Sequence, residues 1–414
     1  MLRFLLSIWL VAAAAPLAQG DWPQWRGPLR NGSTVEPSPP LEWSPNHNVR
    51  WRASLPGAGN SSPIVSNDLV IVTASSGKDH NELHLLAFHR EDGRLAWARK
   101  FFGTPAPPPY AMFPPERGHA ACTPASDGRC IVALFGTGDL LALDFQGAPL
   151  WMRSLAVDFG PIVGNYGLSS SPLIAEGVVL VQIDHLEKSY LAAFDLQTGD
   201  LRWKTDRAAS ENWSSPVLGE VGGAKHVICA GTGRLAGYDL SGRLQWELEG
   251  LERLCAPTPV VHDSGVVAVS GPAGATMGID LNESSGPRTI WTSKKDGPFI
   301  PSPVVAAGFC FVVNDQGIVT CRDVKSGNDV WKSRLGLARP RASLVTNGEV
   351  VYCTGLDGTT VVFRAAPAFK ELARNELRED VAASPALSHG CLFFRTASSL
   401  ICIGAAPAPK QPGK

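Results

Sequence analysis

Leu191-Ala192-Ala193-Phe194-Asp195-Leu196-Gln197-Thr198-Gly199-Asp200-Leu201-Arg202-Trp203 decides how this 414-residue chain folds. An apolar run, an Asp, a glycine turn and a second run ending in Trp read as two strands joined by a tight turn, since Asp and Gly favour such turns. Looser copies end at Trp97, Trp151, Trp246, Trp291 and Trp331. A Ser/Thr-Pro pair followed by apolar residues recurs alongside them: Ser62-Pro63, Thr123-Pro124, Ser171-Pro172, Ser215-Pro216, Thr258-Pro259, Ser302-Pro303 and Ser384-Pro385. After a longer first step the prolines recur almost evenly, and the last interval, Pro303 to Pro385, is two periods whose midpoint, Ala342-Ser343, is a copy without the Pro. That makes eight repeats. Four short strands per ~44 residues is the blade unit of a β-propeller.

Seven copies contain their own fourth strand, but the eighth, starting at Ser384, runs out after Leu400 to Gly404 with three. Asn48-Val49-Arg50-Trp51-Arg52 precedes the first Ser-Pro pair and carries the Trp. It is expected to complete the last blade, which removes a free sheet edge. The predicted fold is all-β: an eight-bladed propeller of four-stranded antiparallel blades over residues 48–404, closed by an N-terminal strand. Residues 21–47 form an N-terminal extension, and 405–414 are expected to be a disordered tail. In the seventh copy Leu372 stands near where Trp is expected, and 370–380 reads as a degenerate outer strand with its loop. The recurrent Trp is expected to pack between neighbouring sheets. Asp144, Asp195, Asp239, Asp280 and Asp323 are expected to be turn residues rather than acids.

With 37 Lys+Arg against 38 Asp+Glu, the net charge of −1 gives no sequence-wide reason to expect nucleic acid or an acidic membrane surface as partner. Residues 1–20 carry Arg3, an apolar run from Phe4 to Pro16 and Ala18-Gln19-Gly20, which reads as a signal peptide cleaved before Asp21. A periplasmic or extracellular product is expected, with no transmembrane segment in the mature chain. Because the first cysteine is Cys122, no lipid-bearing Cys follows the signal. Nine Cys in an exported chain permit disulfides. Cys310 and Cys321 flank a turn at 314–317, and equal counting from both sides makes them directly opposed. Cys391 and Cys402, spaced like the first two, are expected to sit equivalently, so both pairs are candidate disulfides.

In these repeats the chain resembles the pyrroloquinoline-quinone (PQQ) repeat propellers, specifically the PQQ-binding-like group of exported bacterial proteins. The resemblance spans residues of about 48 to 404 and rests on the Ala-x-Asp-x-x-Thr-Gly-x-x-x-Trp form quoted above. Asp21-Trp22-Pro23-Gln24-Trp25-Arg26-Gly27-Pro28 with Asn31-Gly32 resembles the N-terminal signature of a large branch known from planctomycete-type bacteria. Two relatives set the functional expectations. Quinoprotein alcohol dehydrogenases hold PQQ and Ca²⁺ on such a propeller, usually with a ring formed by adjacent cysteines; this chain has no Cys-Cys pair and no alignable Glu/Asn/Asp calcium set. BamB-type outer-membrane assembly lipoproteins are non-enzymatic scaffolds of similar size, and this chain departs from them in lacking the lipid-attachment Cys.

The long connections fall in the first three blades: 101–119, 159–166, 75–82 and 184–189, all expected on one face. Arg117, His119, Asn165, Tyr166, Asp184, His185, Asn212 and Trp213 are expected to converge there and to bind a protein, peptide or glycan partner. Asp79-His80 and Asp184-His185 lack metal-ligand spacing, so no metal site is assigned. No Gly-x-Ser-x-Gly or Walker pattern occurs. The leading expectation is therefore a non-enzymatic binding or scaffold module. The alternative is a PQQ-dependent or quinone-linked oxidoreductase, and a third reading is a hydrolase or lyase using His119 or Asp184.

Overall fold

The computed structural model describes residues 19–104, 118–263, 265–271, 274–282, 285–294 and 297–405. Eight four-stranded antiparallel sheets follow one another along the chain, giving the eight-bladed propeller that the repeat predicts. Blade 3 is representative: an inner strand Leu173–Ala175, then Val178–Ile183, Tyr190–Asp195 and an outer strand Leu201–Asp206. Its two middle strands are buried on both faces while the outer one alternates, as expected for a sheet sandwiched between two others. In blade 8 the strand Val49–Ser54 pairs with Ser399–Ile403, with Trp51 opposite Cys402 and Ala53 opposite Leu400, so the N-terminal strand closes the ring. The stretch around Lys370 holds the seventh outer strand, Glu371–Glu376. A one-turn helix, Leu155–Phe159, capped by the Ser154 side chain, lies between blades 2 and 3 and had no clear signal in the sequence.

Most of the repeat Trp residues link two blades. Trp97 Nε1 donates to Phe145 O, Trp151 to Leu196 O and Trp203 to Leu240 O, each at 2.9 Å and each in the following blade. The Trp51 ring does the same across the closure, to Arg90 O. The ring also lies on the turn glycine of that next blade: Gly199 has φ +73°, and a Cβ there would be 2.7 Å from the Trp151 ring. Thr-Gly-x-x-x-Trp is thus read across two seams, its Gly receiving one Trp and its Trp docking on the next Gly. Trp246 departs from the rule and donates to His226 within its own blade. The turn aspartates behave as expected, Asp195 accepting from the amides of Gln197 and Thr198, and Asp323 from those of Lys325 and Ser326.

In blade 7 the register opposes Ala373 to Val362, where blade 6 opposes Trp331 to Cys321, so Ala373 rather than Leu372 occupies the Trp position. The seam is filled from elsewhere. Trp43 of the N-terminal extension packs 6.4 Å from Tyr352 of blade 7 and 5.9 Å from Phe394 of blade 8. Asn375 holds it there, accepting from the Trp43 amide and donating to Leu41 O, both at 2.8 Å.

Around the axis the Ser/Thr of each repeat forms a belt of hydrogen bonds. The Ser62 amide donates to Thr123 Oγ1, Thr123 to Ser171, Ser171 to Ser215 and Ser215 to Thr258. Thr258 continues to Ser302, Ser302 to Ser343 and Ser343 to Ser384. Ser343, the copy without a following Pro, is therefore a full member. Pro after each of the others leaves no second amide near the axis in need of an acceptor.

The cysteine counting needs correction. Cys310 is registered with Arg322 and Cys321 with Phe311, so the two thiols leave opposite faces of their hairpin. They are not a pairable set. Cys391 and Cys402 are not equivalent to them either, because Cys402 opposes Phe393, which puts Cys391 diagonal to it on the same face.

Trp43→Ala should destabilise the protein by about 3–5 kcal/mol, the range for truncating a buried aromatic. Urea unfolding would measure it, and a loss below about 1 kcal/mol would mean that Trp43 does not complete the seam between blades 7 and 8.

Candidate functional site

Inside the belt lies a well of about 360 Å³. Its wall is made where the inner strands begin, so belt hydroxyls such as Ser171, Ser215 and Ser384 face it alongside Ala256 and Ala383. The floor is Trp25.

Residues 21–34 put Trp25 there by crossing the end of the ring opposite the long connections. Trp22 bridges Val65 in both directions, at 2.8 and 2.9 Å, and Ser126 donates to Pro23 O. Trp25 Nε1 donates to Thr258 Oγ1 at 2.9 Å. The fully buried Arg26 guanidinium donates to Leu344 O, Pro303 O and Asn31 O. Burial lowers the Arg26 pKa to about 9, so carbonyl dipoles are its only compensation among these contacts. The glycines complete the clasp: a Cβ on Gly27 would meet the Trp22 ring at 2.7 Å, and one on Gly32 would run into the Arg26 guanidinium. Asp-Trp-Pro-Gln-Trp-Arg-Gly is thus a plug, joining blades 1, 2, 5, 6 and 7. Sequence reasoning noted these Trp residues but not Trp25 as the base of a site.

At the opposite, open end stand Tyr166, Trp213, Phe299 and Arg341. Tyr166 meets Trp213 edge to face, with centroids 5.4 Å apart. Trp213 is fixed by Nε1 donating to Gly167 O at 2.8 Å. Behind them the Glu211 carboxylate accepts from the amides of Asn165 and Tyr166, at 2.6 and 2.9 Å, and from Asn165 Nδ2 at 3.0 Å. Arg341 lies 5.3 Å over the Phe299 ring and 3.7 Å from Asp315. Among the described residues lining the well, it is the one charged side chain.

The residues expected to converge divide into three groups. Tyr166 and Trp213 line the well, and Asn165 braces them. Asp184 is bound to Arg207 through two contacts, 2.9 and 3.2 Å, with Gln182 at 2.7 Å and Asn212 at 3.5 Å. Asn212 also accepts from the Cys255 amide, and His185 Nδ1 accepts from the Val163 and Glu187 amides, so this group ties the connections together. His119 is buried beside Ser75 and Gly136 and is not among the residues lining the well. Burial lowers the pKa of both His119 and His185, favouring neutral rings near pH 7. Arg117 lies outside the described residues, as do 105–116 of its connection.

The well is chemically simple: a ring of hydroxyls, an aromatic mouth and a single guanidinium. No carboxylate lines it among the described residues, and these residues supply no acid/base pair. Among the described residues no group of three or more His, Cys, Asp or Glu could hold a metal ion. PQQ is a polyanion, and its Ca²⁺ needs carboxylate and amide oxygens. One Arg already facing Asp315, with Asn60 as the sole amide side chain among the described lining residues, does not fit that pair.

Comparison with known proteins gives a consistent family. A family model described as "Outer membrane protein assembly factor BamB" matches residues 45–108 and 110–333. A BamB of Yersinia pestis is 28% identical over 208 residues, covering 46% of this chain and 49% of that protein; the chain thus spans about half the length of this curated relative. Among solved structures, BamB from Moraxella catarrhalis aligns over 88% of this chain and 98% of its own, with TM-score 0.64 and 18% identity. Quinohemoprotein alcohol dehydrogenase from Comamonas testosteroni aligns over 97% and 83%, with TM-score 0.68 and 13% identity. At those identities the solved structures show the fold alone.

Asp184→Asn should cost about 3–5 kcal/mol, because it strands the buried Arg207 charge. Thermal unfolding of Asp184→Asn beside Asp184→Asn/Arg207→Met would check this. The double variant should recover part of the loss, and no recovery would refute the pairing as its cause.

Proposed function

The chain belongs to the PQQ-repeat β-propeller family described as outer membrane protein assembly factor BamB, and on that footing we propose that it is an exported, non-enzymatic scaffold docking a partner polypeptide over the open mouth of its axial well. The observation that carries this reading is the well itself: closed below by Trp25, open above, lined by hydroxyls and aromatics, and without an acid/base pair among its described lining residues. Tyr, Trp and Arg at the rim of a preformed concavity are the side chains that supply most binding energy at protein interfaces. The hydroxyls add donors and acceptors for a backbone or polar side chain. Export follows from reading residues 1–20 as a signal peptide. Residues 1–18 lie outside the described residues.

Rigid neighbours favour docking without large rearrangement. Glu211 and Cys255 fix the backbone beneath Tyr166 and Trp213, so these rings are presented in place rather than recruited. A glycan would use the same aromatic mouth. The polypeptide reading is preferred because the matched family's description names protein assembly.

A photo-crosslinking residue at position 166 should trap a defined polypeptide in the native cell, with Trp213→Ala reducing the yield about tenfold, as for loss of an interface anchor. The same probe at Leu201, on the outer rim of blade 3, should not trap it. Equal capture at both positions would sink the docking site. Calorimetric titration of PQQ, with and without Ca²⁺, should show no saturable binding; single-site micromolar binding would replace this reading with the quinone-linked oxidoreductase.

A further inference from the structure

In the closing blade two thiols share one face of the last hairpin. Cys402 opposes Phe393, and Cys391 lies two residues before Phe393, so the two side chains project together along the diagonal. Both thiols are buried in the cluster that joins blades 8 and 1. Arg50 Nη1 of the closing strand donates to Cys391 Sγ from 3.3 Å. Gly404 covers the pair with bare backbone: a Cβ there would stand 2.6 Å from Cys391 Sγ and 2.7 Å from Arg50 Cδ.

The charges around Cys391 come from outside its hairpin. Arg50 belongs to the N-terminal strand and Arg90 to blade 1, and both favour the thiolate; Glu91 faces Arg50. The neighbouring Cys402 thiol and the Arg50 guanidinium hold the Cys391 thiol below the ordinary range against the opposing effect of burial, while Cys402 is pushed up. Burial pushes Cys122, Cys229 and Cys353 up to about 12, so Cys391 stands apart from them. The cations that activate Cys391 reach it only when Val49–Ser54 has docked and the ring is shut.

We propose that Cys391 and Cys402 are a closure-gated dithiol, oxidised to a disulfide by a small-molecule disulfide once the N-terminal strand has completed blade 8. The Cys391 thiolate attacks one sulfur of the oxidant, forming a mixed disulfide and releasing the other sulfur as a thiolate. Cys402 then gives its proton to solvent and attacks Cys391 Sγ, expelling the second thiolate. Two protein thiols lose two protons and two electrons, and the oxidant's disulfide becomes two thiols. The bridge would staple the strand that receives the closing strand, Ser399–Ile403, to its hairpin partner Cys391–Arg395.

The test is to incubate the folded full chain with oxidised glutathione and count free thiols after denaturation. Nine should become seven, with the bridge mapped to the peptides of Cys391 and Cys402. Nine remaining thiols, or a bridge elsewhere, would overturn the proposal. Cys402→Ser should stop at a stable glutathione adduct on Cys391, and an unmodified Cys391 would overturn its role as the attacking thiol. Arg50→Met should react about tenfold more slowly and Arg50→Lys should recover most of the rate; equal rates would remove the gating by closure. Should Arg50→Met not fold, alkylation of the unaltered protein by iodoacetamide across pH decides the matter. Its Cys391 rate should rise well below the pH of an ordinary thiol, and an ordinary midpoint near 8.5 would overturn the gating.

Discussion

A blade of this protein has no core of its own, and the need to close the ring governs everything else. Both faces of each sheet are apolar and are covered chiefly by the neighbouring sheets, with Trp43 of the extension filling one seam. The largest buried cluster runs through Val70 and Phe88 of blade 1, Tyr352 of blade 7 and Phe393 and Phe394 of blade 8, with Trp43 and Trp51 among them. Opening the ring at any seam would expose two such faces at once, so stability is shared around the circle and not held blade by blade. Val49–Ser54 supplies the missing strand of the last sheet, and through Trp51 it also reaches the Arg90 carbonyl and the Gly93 turn of the first. One short segment therefore completes a sheet and a seam together.

The blades were legible because their signals are local and repeated. A turn that needs φ > 0 demands Gly, a neighbouring ring demands that the same Gly lack a Cβ, and the axial belt demands a hydroxyl, so each repeat writes the same letters. What was illegible is what occurs once. Trp43 repairs a seam at the far end of the chain, where its partner is Asn375, and nothing in its own surroundings announces Ala373 as the gap. Trp25 becomes the base of the well only after the ring has formed. Tyr166 and Trp213 were found by composition, yet Asp184, His185 and Asn212, chosen by the same logic, are occupied in holding connections in place.

The cysteines show how a single residue of register decides chemistry. Counting a four-residue turn at 314–317 opposed Cys310 to Cys321, but Asn314 N donates to Ile318 O and Val313 pairs with Val319, so the loop takes one residue more. A slip of one sends two side chains to opposite faces. In blade 8 the turn is tighter, with Thr396 N donating to Ser399 O and Arg395 opposite Leu400. There the offset from direct opposition is two, which preserves the face. An identical spacing in sequence thus means separation in one blade and proximity in the other.

The axial belt also has a sense of rotation. From Ser62 round to Ser384 each amide donates to the hydroxyl of the next blade, so seven bond dipoles run tangentially, head to tail, and the belt is open only at the seam where Ser384 meets Ser62. A helix end concentrates partial charge along its axis; bonds laid tangentially point across the axis and not along it. Among the described residues lining the lumen, the belt thus presents hydroxyls, and the single charge stands apart from it at the rim, on Arg341.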